Sequence, residues 1–180
     1  MPKHLRLMIF LWLFISLQAK ALEGVDTGRE VFEMELKANL EDVWHAFTTT
    51  EGLKLWVAPL VDIDFKVGGK WRANYNAKGR LGDETTIENT ILSYDHQRML
   101  SLKATTFPKD FPFVEAAQQS WSVFYFEPVS ESKTKITVVG LGYTDSEQSQ
   151  KMRAFFAGAN RYSLQQLEKA LVARNSMETK

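Results

Sequence analysis

Chemistry in this 180-residue chain would have to come from very few side chains. There is no cysteine, which removes thiol nucleophiles, thiolate metal sites and disulfides together. Three histidines are present: His4 in the apolar N-terminal region, His45 on the polar side of a helical segment, and His96 in a turn. None stands at a metal-ligand spacing from a carboxylate, so neither a metal nor a cofactor is expected. No serine elbow, zinc-helix or phosphate-loop pattern occurs. Asp62 and Asp64 are spaced like a carboxylate pair for acid–base work. Their alternation with Val61, Ile63 and Phe65 assigns them instead to the solvent face of a strand. Gly68-Gly69 joins two strands with no helix behind it, so it reads as a turn and not as an anion cradle. Arg72 and Glu88 lie on strands that can be neighbours. Because Trp71, Ala73 and Tyr75 take the inner side, Arg72 and Glu88 are expected to form an outer-face salt bridge. No catalytic residue is assigned.

The remaining candidates are apolar. Trp56, Phe65, Trp71, Tyr75, Phe124, Phe126 and Phe155, with the small residues Ala159 and Ser163, could line a pocket that is mostly greasy with a few polar anchors. The same aromatics could equally fill a core. On the strand around Phe124 both faces are apolar, since Trp121, Val123 and Tyr125 alternate with Ser122, Phe124 and Phe126, and the periodicity allows either set to face inward. The segment Thr105–Ala117, with two prolines and three phenylalanines, reads as a loop. Phe107, Phe111 and Phe113 in it could gate a cavity, tuck onto the domain's own edge, or touch a membrane transiently.

Several elements must position these residues. Val31–Leu36 alternates as a half-buried strand. Asn39 is placed to cap a helix whose Leu40, Val43, Trp44 and Phe47 share one face, and Thr50 to cap a second short helix that Pro59 ends. Val61–Phe65 and Trp71–Tyr75 form a hairpin about the glycine pair. Thr85–Tyr94, Met99–Thr105, Ser120–Glu127 and Thr134–Gly142 follow as strands. From about Ser146 to Arg174 the pattern is helical, with Met152, Phe155, Phe156, Ala159, Ser163, Leu167, Ala170 and Leu171 along one stripe. The order is β-α-α-β6-α in one α+β domain. One long helix must cover a sheet of this size, which calls for an antiparallel sheet curved around it. Small residues at Gly158, Ala159 and Ser163 would leave a hollow beneath the helix.

Residues 1–21 have the order of a secretory signal: Lys3, His4 and Arg6, then the 11-residue run Leu7–Leu17, then Ala19-Lys20-Ala21. The run is well short of the roughly 20 residues a spanning helix needs. Cleavage is expected after Ala21, giving a periplasmic or secreted protein with a loose lead-in at 22–29, a domain at 30–174 and a polar tail at 175–180. Loss of Lys3, Arg6 and Lys20 from 22 basic residues leaves 19 against 22 acidic ones, a net charge near −3. With no basic stripe, nucleic acid is not an expected partner.

The segment EDVWHAFTTTEGLKLWVAP followed by VDIDFKVGGKW resembles the activator-of-Hsp90-ATPase-like family of the START-like helix-grip superfamily. The matching features are Val43-Trp44, Ala46-Phe47, Trp56 before Pro59, and Gly68-Gly69 before an aromatic strand. Phe126-Glu127-Pro128, Thr134, Leu164 and Leu167 resemble the family further on. The resemblance spans about Val31–Val172. It implies a helix-grip fold and a small hydrophobic ligand, lipid-like or polyketide-like, between sheet and terminal helix. Two alternatives follow from the same superfamily. One is a cyclase-like enzyme needing an inward polar group among Tyr75, Asn89, Tyr143, Asn160 and Tyr162. The other is a protein-binding module like the chaperone activators, although those act inside the cell and this chain is expected outside it.

Overall fold

In the computed structural model, residues 28–178 are described. The expected signal, its cleavage point and residues 22–27 of the lead-in lie outside them. Two glycines turn the chain between the second and third strands. Gly68 has φ +80°, and its amide donates to the Ile91 carbonyl at 2.8 Å, while a Cβ on Gly69 would collide with the Asp64 carbonyl. The pair therefore acts as a backbone hinge between β2 (Leu60–Ile63) and β3 (Lys70–Asn74). Strands β4 (Thr86–Asp95), β5 (Met99–Thr106), β6 (Trp121–Ser130) and β7 (Lys133–Leu141) continue as an antiparallel meander. β1 (Glu30–Leu36) closes the far edge, in the order β1-β7-β6-β5-β4-β3-β2.

Helix α1 (Leu40–Thr48) starts where Asn39 accepts from the Asp42 amide at 2.8 Å. The next helix, α2 (Thr50–Lys54), is capped by Thr49 and not by Thr50, as its hydroxyl accepts from the Gly52 amide at 3.0 Å. A helix not foreseen in the sequence, α3 (Val114–Gln119), forms within the proline-containing segment. It has no side-chain cap, and its Ala116 amide donates instead to the Gln148 side chain at 2.9 Å.

The long helix α4 (Glu147–Glu178) runs beyond Arg174, so residues 175–178 of the expected tail are helical. Its buried stripe also differs from expectation. Met152, Leu164, Leu167 and Leu171 are buried and Phe156 and Asn160 are half-buried along one line, whereas Phe155 is 54% exposed on the other side. At its C-terminal end Arg174 pairs with Asp42, and Glu168 accepts from the Lys37 amide at 3.1 Å. The curved sheet thus grips a helix tied to α1 and to the end of β1. This is a helix-grip α+β fold.

Two apolar clusters form. The main core joins α1, α2, the concave sheet face and Leu164, Leu167 and Leu171. A separate cluster gathers Phe107, Phe111, Phe113, Ala116, Ala117, Tyr143, Met152 and Phe156, so the phenylalanines of the segment tuck onto the domain itself.

Candidate functional site

Strand register settles which side chains face the helix. Phe32, Val138, Phe124 and Leu100 form one cross-strand row, and Ile91, Leu102, Ser122 and Gly140 another. Phe124 and Phe126 therefore point inward. Trp121 and Tyr125 lie on the convex face, 37% and 44% exposed. Trp71 and Ala73 are also inward and buried. Arg72 is outward, where its Nε donates to Asp62 at 2.7 Å. Asp62 is thus paired rather than simply solvated. Glu88 lies across from Arg72 in register, and its closest cation is the Lys70 ammonium at 3.9 Å.

Five of the nine expected ligand-binding residues come together. Phe47 is the hub, with ring centroids 4.8 Å from Trp56, 5.3 Å from Phe124 and 5.1 Å from Phe126. Trp56 leans on Trp71 at 6.4 Å and donates its indole N–H to the Ala46 carbonyl at 3.0 Å. Phe65 stands edge-on to Trp44 at 5.8 Å. This half of the interior is filled by its own rings, whose tilted and edge-to-face contacts hold it in place. Ala159 and Ser163 are half-buried on α4. Two residues do not join. Tyr75 lies one residue past the end of β3 and is 68% exposed, because the strand's last inward position is Ala73. Phe155 is turned away by the helical phase described above.

Toward the other end of the concave face several inward residues are smaller or less buried. There Ala104, Ser122 and Gly140 are small, and Asn89, Ala104, Ser122 and Phe124 are half-buried between the two apolar clusters. Tyr143 reaches over Gly140, and a Cβ at that glycine would press on the phenol ring. Burial raises the pKa of this hydroxyl above 10 and nearby Glu30 adds to the rise, while Arg153 opposes it. Glu30 and Arg153 pair at 2.8 Å. Arg153 also donates to the Arg29 carbonyl at 2.7 Å.

Of the polar residues that a cyclase-like reaction would require inside, Asn89, Asn160 and Tyr143 sit on the concave side. Tyr75 and Tyr162 are exposed. Asn160 is the residue that the expected helix stripe passed over, although its spacing of four from both Phe156 and Leu164 places it on the sheet-facing line. A recess of about 710 Å³ touches His96, Arg98 and Pro128 at the β4–β5 turn, the opposite end from Ser122 and Gly140. Among the described residues no group of His, Asp and Glu is arranged to hold a metal.

The profile of the activator of Hsp90 ATPase homolog 1-like proteins matches residues 37–172. The chain belongs to this family. Solved structures place the family's fold on it at low sequence identity. The Aha1 dimer of Colwellia psychrerythraea is 17% identical, with a TM-score of 0.63, over 79% of this chain and 95% of that one. A Mesorhizobium loti protein is 18% identical, with a TM-score of 0.61, over 81% and 97%. An Hsp90 activator from Plasmodium falciparum is 19% identical, with a TM-score of 0.57, over 79% and 95%. No curated protein matches the chain in sequence. The family's matched region begins just after β1, so the strand carrying Glu30 and Phe32 is outside it.

Proposed function

We propose that this protein is exported and binds a small hydrophobic molecule, lipid-like or polyketide-like, in the cleft between the curved sheet and α4. The observation that carries this reading is the division of the apolar interior. The aromatic hub and the cluster around Met152 are separate, and although Ile91, Leu102 and Gly140 on the concave face are buried, their neighbours Asn89, Ala104 and Ser122 are only half-buried. A chain that gained stability only from burial would be expected to join the two. Binding would draw on apolar area at about 25 cal/mol per Å², less the cost of ordering the ligand. Export is supported by the order of charged, apolar and small residues in 1–21.

Native mass spectrometry of the gently purified exported protein tests the reading. A small molecule should be carried with the polypeptide, or a mass shift should follow addition of apolar compounds. A bare polypeptide mass under both conditions would favour a second reading, a protein-binding module. That alternative is supported by the convex face, where Val31, Trp121 and Tyr125 are 46%, 37% and 44% exposed around buried Val123 and Val139.

A further inference from the structure

Building on the cleft reading, we infer that its occupant is an apolar molecule whose polar group is uncharged, such as an alcohol, amide or ester, and not a carboxylate or an amine. Strand register shows why. The concave side chains of β2 to β7 include Val61, Trp71, Asn89, Leu102, Ser122 and Val138, and no Asp, Glu, Lys or Arg falls among the inward positions. β1 adds Glu30, which lies in register with Gly140 and is paired with Arg153 at 2.8 Å. Arg161 of α4 is exposed and lies over the Phe32 ring at 5.1 Å, at the edge of this face. The Tyr143 phenol, kept neutral by burial, adds no charge of its own.

Neutral hydrogen-bonding capacity is left over on the same surfaces. The side chains of Asn89, Ser122 and Asn160 make no hydrogen bond to other described residues. The buried indole N–H of Trp71, directly across β3 and β4 from Asn89, also has no partner. Carboxamides, a hydroxyl and an indole N–H can match a carbonyl or hydroxyl. They cannot offset a full charge that has been stripped of water. Asn160 sits between Phe156 and Leu164 on the helix line facing the sheet, where it interrupts an otherwise apolar stripe.

The test is a matched series, decanol, decanamide, decanoate and decylamine, titrated against the purified protein by native mass spectrometry and intrinsic tryptophan fluorescence. At pH 8 the two neutral compounds should bind at least about tenfold more tightly than either charged one. The decanoate deficit should shrink toward pH 5, as the free acid becomes protonated. Asn160→Leu, with an unchanged melting temperature, should weaken decanamide more than decanol; Asn89→Leu provides a second site if the helix variant misfolds. Equal binding of charged and neutral compounds at pH 8 would overturn the inference and leave the cleft reading standing. Binding of none of the four would overturn both.

Discussion

Among the described residues, Asp83 is the most heavily hydrogen-bonded carboxylate. It accepts from the Arg80 and Thr85 amides at 2.9 and 3.0 Å, from the Thr85 hydroxyl at 2.7 Å and from Asn74 at 2.8 Å. The two amides and the hydroxyl hold its pKa at about 2, below the ordinary 3.8. The folded value is depressed, so its contribution to stability is complete above about pH 4 and is lost as pH falls toward 2. Asp83→Asn should therefore lower the melting temperature at pH 7, and the gap to the native protein should close between pH 4 and 2. A gap constant over that range, in thermal melts, would refute the linkage. The partner Asn74 is fully buried though polar, and it ties the segment after β3 to the start of β4. The sequence shows this stretch as turn-rich, but it does not reveal which side chains close the turn, because the Asn74 bonds reach from the end of β3 across the loop to Arg80 and Asp83.

At the scale of elements, α4 carries the clearest division of labour. Leu167 is fully buried against the main core, while Phe155 is 54% exposed. Leu167→Ala should cost about 3 kcal/mol through lost burial and the cavity left behind. Phe155→Ala, which loses ring contacts with Phe113 and Phe156 but little burial, should cost about 1 kcal/mol or less. Chemical denaturation of the two variants decides the phase of the helix, and equal losses would show that the buried stripe lies elsewhere. The expected stripe includes Phe155, which is largely exposed, and leaves out Leu164, which is buried. An amphipathic helix with apolar residues on more than one side leaves its phase open until the sheet it meets is known. The strand β6 has the same ambiguity, with Trp121, Val123 and Tyr125 opposite Ser122, Phe124 and Phe126. Pairing with β5 and β7 resolved it by aligning Phe124 with Leu100 and Val138.

For the whole molecule, the expected life history begins with export. Protein recovered from the compartment outside the cytoplasm should begin at Leu22, by N-terminal sequencing or intact mass; a chain still carrying Leu7–Leu17 would contradict cleavage after Ala21. The domain that follows is organised as a filled half and a looser half. The rings around Phe47 occupy the end near α1 and α2, where Trp56, Phe124 and Phe126 pack against one another through it. Half-buried Asn89, Ala104 and Ser122 mark the looser half.

The sequence alone determined the element order and the glycine turn, which follow from local periodicity, caps and turns and need only near neighbours in the chain. It carried the resemblance to the family in its motifs, and its count of strands against one long helix called for the curved sheet. It also brought Asn89, Tyr143 and Asn160 forward as polar residues to place. Only the tertiary structure decided that these three take the concave side while Tyr75 and Phe155 do not. It alone showed Asp62 as the partner of Arg72, and Trp71 as a buried N–H without one among the described residues. Those outcomes depend on register and on which surfaces meet across the fold, and a one-residue shift of either would reverse them.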